Sequence, residues 1–85
     1  MKKQHEIPVV TEVKVVRPYV LEVHFRDGAC RRVDLKDELW GEVFEPLKDP
    51  DFFATATVDE EAGTVVWPNG ADLAPEFLYE TPEAE

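Results

Sequence analysis

His24 and Cys30 form the one credible nucleophile–base pair in the chain. They flank Asp27-Gly28 and are expected on the same outer face of neighbouring strands. An imidazole beside a thiol can lower the thiol pKa and activate it. No third residue nearby clearly orients the histidine, and no glycine-rich loop or helix N-terminus follows to stabilise an oxyanion. The favoured reading is a surface histidine beside an incidental thiol. A metal site needs three or four converging ligands. His5 and His24 form no spaced motif, and Asp59-Glu60-Glu61 lacks the alternate spacing of a calcium loop. That turn reads as solvated. With 19 acids, close carboxylate pairs arise by chance, and none sits in an apolar run that would raise its pKa for acid–base work. No Walker or dinucleotide glycine pattern is present. The expectation is a non-enzymatic chain with no catalytic residues, no cofactor and no metal.

Binding chemistry has more support. Trp67-Pro68-Asn69-Gly70-Ala71-Asp72 places an aromatic, a rigid proline and an Asn-Gly turn close together. Such a stretch can present a recognition surface. The favoured reading of the stretch is a buried Trp67 followed by a tight turn that redirects the chain into the last helix. The candidate partner-binding residues are Asp59, Glu60 and Glu61 in the acidic turn, Trp67, Asn69 and Asp72, and Glu76 on the last helix. Arg26, Arg31 and Arg32, with Lys14 and His24, form a second candidate, a small basic face for nucleic acid. Glu12, Glu22 and Asp34 balance that face.

The charge distribution bears on these partners, beside the favoured simpler reading that it only keeps a small protein soluble. The net charge is −10 over 85 residues. Residues 1–48 hold all nine Lys and Arg with nine acids, so they sum to zero, while residues 49–85 hold ten acids and no Lys or Arg. That part repels a duplex or an anionic membrane and steers a basic partner. Nucleic acid is therefore expected only through a partner. A homodimer through an exposed strand edge stays open. The single cysteine cannot form an internal disulfide, and no apolar run approaches the ~20 residues of a membrane helix. Two lysines near the start are followed by no signal-peptide apolar region. The expected location is the cytoplasm.

The elements that must position these residues belong to one domain spanning residues 1–85, with an ordered core of about 7–80 and frayed termini. Period-2 alternation predicts strands over Val9–Arg17, Tyr19–Phe25 and Ala29–Leu35, with Val9, Val13 and Val15 sharing the inner face of the first. Pro18 turns the chain, and Asp27-Gly28 is a hairpin signal. Lys36–Trp40 reads as one helical turn, broken at Gly41. Pro46 and Pro50 forbid one long helix and open short turns over Pro46–Lys48 and Pro50–Ala54. These turns should lie across the sheet with Phe44, Leu47, Phe52 and Phe53 as anchors. Strands return at Thr55–Asp59 and Thr64–Trp67, followed by a helix over Pro75–Tyr79 with Asp72 as a candidate cap. The fold class is α+β: a three-stranded antiparallel meander plus a C-terminal hairpin, covered by short helices.

Three stretches carry a family resemblance. Val33-Asp34-Leu35 is followed by the run from Phe44 to Ala54 and by Val58-Asp59. The longest stretch is Gly63-Thr64-Val65-Val66-Trp67-Pro68-Asn69-Gly70-Ala71-Asp72-Leu73-Ala74-Pro75-Glu76-Phe77-Leu78-Tyr79. Together they resemble the small bacterial domain-of-unknown-function family numbered 2442, over about Val13 to Tyr79. The resemblance implies a compact α+β domain and a bacterial chain. It also implies relatives that neighbour a second small protein in arrangements proposed to be toxin–antitoxin pairs. Some longer relatives add a C-terminal helix-turn-helix, for which 85 residues leave no room, so autonomous operator binding is not expected. The resemblance transfers no catalytic residues. The reading that follows is an interaction module, an acidic antitoxin-like partner of a small basic protein. The alternative is a nucleic-acid-associated regulator using the Arg26/Arg31/Arg32 face.

Overall fold

The computed structural model describes residues 7–81. His5, the expected fraying of the first six residues and most of the expected frayed tail lie outside the described residues. Three strands, β1 (Val10–Arg17), β2 (Val20–Phe25) and β3 (Cys30–Asp34), form an antiparallel sheet in the order β1-β2-β3. Alternation sets its inner face: Leu21, Val23, Phe25 and Val33 are buried, and Leu35 follows them just past β3. The turn between β2 and β3 uses Gly28 at φ +94°, a conformation that costs other residues steric strain. Asp27 accepts from the Ala29 N–H there at 2.9 Å.

The inner face of β1 differs from the expectation. Val10, not Val9, is fully buried. Val10 pairs with Phe25 while Glu12 pairs with His24, which makes Thr11 an extra residue on β1. This bulge breaks the period-2 count and shifts everything before it to the other face.

The middle segment covers the inner face in short pieces. A 3-10 turn over Lys36–Glu38 leads Leu39 into the core and leaves Trp40 outside. A second over Glu45–Lys48 buries Leu47. Helix α1 (Pro50–Phe53) is capped by Asp49, whose carboxylate accepts from the Asp51 N–H at 3.0 Å, and it buries Phe53. Each proline stands in the first turn of its element, where a missing N–H costs nothing. The Tyr19 hydroxyl donates to the Lys48 carbonyl, and its ring meets Phe53 edge-on.

Strands β4 (Thr57–Asp59) and β5 (Thr64–Val66) form a separate two-stranded antiparallel sheet. Strand β4 starts two residues later than expected because Thr55 folds back, its hydroxyl and N–H both donating to the Phe52 carbonyl. The two sheets meet where the Val10 N–H donates to the Gly63 carbonyl at 2.9 Å. Helix α2 (Pro75–Glu80) buries Leu78 against the sheet. Asp72 does not cap it: Ala74 holds the cap position without a side-chain bond, and Asp72 instead bridges Val66 through its backbone. One core results, built from both sheets, the short turns and α2. Each fully buried Leu, Val or Phe contributes about 1.5–3 kcal/mol. No helix among the described residues is long and apolar enough to cross a membrane.

Candidate functional site

Of the four large apolar residues exposed among those described, Ile7 and Val16 lie before and on β1, while Trp40 and Val43 share one short segment. Leu39 and Trp40 are adjacent, yet Leu39 is buried and Trp40 is 72% exposed. Val43, three residues on, is also exposed. Beside Trp40 lies an open groove of about 280 Å³ lined by Phe44, Leu73, Ala74 and Phe77, with Glu38 and Asp72 as its charged members. Its floor is built from three elements. The Lys36–Glu38 turn delivers Trp40, the loop before Leu47 delivers Phe44, and α2 with the residues leading into it delivers Leu73 and Phe77. Aromatic and aliphatic lining with a few polar groups at the edge is the composition of a binding surface. Its open shape suits an anchoring side chain better than an enclosed small molecule.

The predicted partner-binding residues divide. Asp72 is exposed and lines this groove. Glu76 is exposed on α2. Asp59, Glu60 and Glu61 are exposed on the β4–β5 turn, which runs into Gly63 beside the start of β1, and they do not line the groove. Asp59 organises its own turn, its carboxylate accepting from the N–H groups of Glu61 at 2.9 Å and Ala62 at 3.3 Å. Among the described residues none of these five acids is in an ion pair.

Trp67 is a correction, and Asn69 has a structural role of its own. Trp67 is only 3% exposed, and its indole N–H donates to the Phe53 carbonyl at 3.0 Å. It is a core residue and offers no recognition surface. Asn69 is exposed, but both ends of its amide are used: Nδ2 donates to the Val43 carbonyl at 2.9 Å and Oδ1 accepts from the Ala71 N–H at 3.1 Å. Its role is to hold the loop that leads into the groove. Trp40, Phe44, Leu73 and Phe77 were not singled out as site residues by sequence. The available signal was Trp40 next to the breaker Gly41, a bulky aromatic with no periodic partner.

The basic face is also rearranged. Arg31 and Arg32 are consecutive in a strand and point to opposite sides. Arg32 lies on the outer face and pairs with Glu22 at 3.2 Å. Arg31 reaches the other way, donating to the Tyr79 carbonyl at 3.1 Å with its guanidinium 4.9 Å from the Tyr79 ring centre. Arg26, Arg31 and Arg32 therefore do not form one face.

On the outer face, His24 stands directly across from Cys30, as expected. A single imidazole nitrogen, Nε2, faces both neighbours, 2.9 Å from Glu22 Oε2 and 3.8 Å from Cys30 Sγ. A catalytic relay needs one ring nitrogen toward the nucleophile and the other toward the orienting carboxylate. This geometry does not supply it. The His24 hydrogen bond, followed by that of Arg32, holds the Glu22 carboxyl below its usual pKa.

No curated protein matches the chain. Its fold is similar to a crystal structure of a candidate DNA-binding protein from Nitrosomonas europaea ATCC 19718, with a TM-score of 0.76 and 26% sequence identity. The match covers 92% of this chain and 50% of that one, so the chain spans half the length of that protein. A family model described as "Protein of unknown function (DUF2442)" matches residues 10–82, which takes in every strand, the groove and α2. On that match, running from Val10 at the start of β1 to beyond α2, the chain belongs to the DUF2442 family.

Proposed function

We propose that this domain is a non-enzymatic protein-interaction module that receives a small basic partner in the groove beside Trp40. The observation that carries the reading is the exposed indole of Trp40 over apolar lining with acids at its edge. Large exposed aromatics are the residues that most often dominate binding energy. The occupant follows from charge: an apolar anchor flanked by Lys or Arg meets Glu38 and Asp72, and the −10 net charge speeds its approach. A second copy of the chain would carry the same −10 and be repelled, so a hetero-partner is favoured over a homodimer through the edges of β1 or β3. In its specific form the reading is antitoxin-like neutralisation in the cytoplasm, an analogy drawn from family context.

Affinity purification of the full chain from its source bacterium at physiological salt tests this. The expected result is a stoichiometric basic protein, retained by the wild type and lost with Trp40→Ala. Absence of any stoichiometric protein partner contradicts it.

The described name of the Nitrosomonas europaea protein favours a second reading, association with nucleic acid. It predicts duplex binding with a steep salt dependence. The acids of residues 49–85 and the internal pairing of Arg31 and Arg32 weigh against direct contact.

A further inference from the structure

The outer face of the sheet carries a cluster unconnected with the groove. Glu22, His24 and Cys30 each present one ligand atom, and the three atoms lie within 4.8 Å of one another. We propose that this cluster binds a thiophilic divalent cation of the zinc type, with three protein ligands and a fourth position left to water.

The sheet itself produces the convergence. His24 and Cys30 are paired residues on β2 and β3, and Glu22 is two residues from His24, on the same face. Directly opposed and same-face neighbours in a sheet are the closest side-chain pairs it offers. Strand β2 is the central strand, hydrogen-bonded on both sides, so the backbone under two of the three ligands is held.

The donor set fits the cation. Thiolate sulfur, imidazole nitrogen and carboxylate oxygen are the ligands zinc takes, at ~2.0–2.3 Å. Tetrahedral geometry at those bond lengths separates ligand atoms by ~3.3–3.7 Å. The Nε2–Oε2 and Nε2–Sγ separations are 2.9 and 3.8 Å, so small side-chain rotations bring all three to one ion. The ion replaces the protons shared around Nε2 and on the thiol. Thiolate and carboxylate together then balance its two positive charges.

Two further observations point the same way. Arg32 holds Glu22 Oε1 at 3.2 Å, which leaves Oε2 turned toward His24, an outer partner fixing a ligand's orientation. Cys30 is exposed, although cysteine is among the residue types most often buried. A bare His–Glu pair along one strand would explain neither the thiol nor its placement.

The test uses the full chain, kept reduced by a phosphine, titrated with Co²⁺ and then challenged with Zn²⁺. The expected result is one equivalent of bound cobalt with a sulfur-to-cobalt charge-transfer absorption and visible bands of tetrahedral intensity, both erased by Zn²⁺. Cys30→Ser removes the charge-transfer absorption. His24→Asn and Glu22→Gln each weaken binding about tenfold or more, with circular dichroism unchanged. The proposal is overturned if the wild type shows no sulfur-to-cobalt absorption at one equivalent. It is equally overturned if His24→Asn and Glu22→Gln bind cobalt as tightly as the wild type, because the thiol alone would then account for the signal.

Discussion

The hydroxyl of Tyr79 donates to the carboxylate of Asp27 at 2.7 Å, joining the last helix to the β2–β3 turn across 52 residues. The Tyr79 ring also meets Phe25 edge-on at 4.9 Å between centroids and lies against the Arg31 guanidinium. One side chain thus fastens α2, which carries the groove residue Phe77, to the three-stranded sheet.

That bond has a titration signature. The Tyr79 hydrogen bond is the largest influence holding the Asp27 carboxyl below its ordinary 3.8, followed by the Ala29 N–H, and Asp27 in turn raises Tyr79 above 10.0. Tyr79→Phe should move the Asp27 pKa upward toward 3.8, and Asp27→Asn should move Tyr79 down toward 10.0. Because the Asp27 value is depressed in the folded chain, its contribution is present above 3.8 and is lost as pH falls through the folded value. The Tyr79 contribution is complete below 10.0 and is lost as pH rises through its raised value. NMR titration of the Asp27 carboxyl carbon in wild type and Tyr79→Phe checks this, and coincident curves would sink it.

Trp67 predicts a stability effect without a binding effect. Trp67→Phe keeps most of the buried ring but removes the indole N–H, leaving the Phe53 carbonyl with only the longer bond from the Ala56 N–H at 3.3 Å. The expected cost of the lost hydrogen bond is about 0.5–1.5 kcal/mol in thermal or denaturant unfolding. A cost near zero would mean that the Ala56 N–H alone satisfies the carbonyl. Partner affinity should be unchanged in this variant, since Trp67 does not line the groove.

The two acidic regions should separate kinetically. Lysine at Glu60 and Glu61, away from the groove, should slow association with a basic partner and flatten its salt dependence while leaving dissociation nearly unchanged. Asp72→Lys, on the groove lining, should also speed dissociation. Stopped-flow measurements at two salt concentrations distinguish the two effects. Equal dissociation rates in both variants would remove Asp72 from the contact.

Much of this molecule was legible in the sequence, for identifiable reasons. Alternation from Tyr19 to Leu35 and the Asp27-Gly28 turn specify the meander, because side-chain direction and turn chemistry are local properties. Prolines 46 and 50 announce two short pieces rather than one helix because proline acts on its own backbone. The misses are decided by distant contacts. Val10 replaces Val9 in the core because a bulge at Thr11 accompanies the bond from Val10 to Gly63, far away in sequence. Both roles of Trp67 suited its local sequence, and the choice is made by the Phe53 carbonyl. Leu39 and Trp40 sit in an irregular segment with no periodicity, so nothing local says which is buried. The groove was missed for that reason: its walls come from two segments, 38–44 and 72–77, that are far apart in the sequence.

The central claim is that Trp40 is the anchor of a protein interface. It is tested most directly by Trp40 fluorescence in the Trp67→Phe background, which leaves Trp40 as the single indole of the chain. Emission and quencher access are recorded for the isolated chain and for its complex with the copurified basic protein. The account predicts an exposed, readily quenched indole in the free chain that shifts to shorter wavelength and becomes protected in the complex. An indole that stays equally quenched with the partner bound would contradict it.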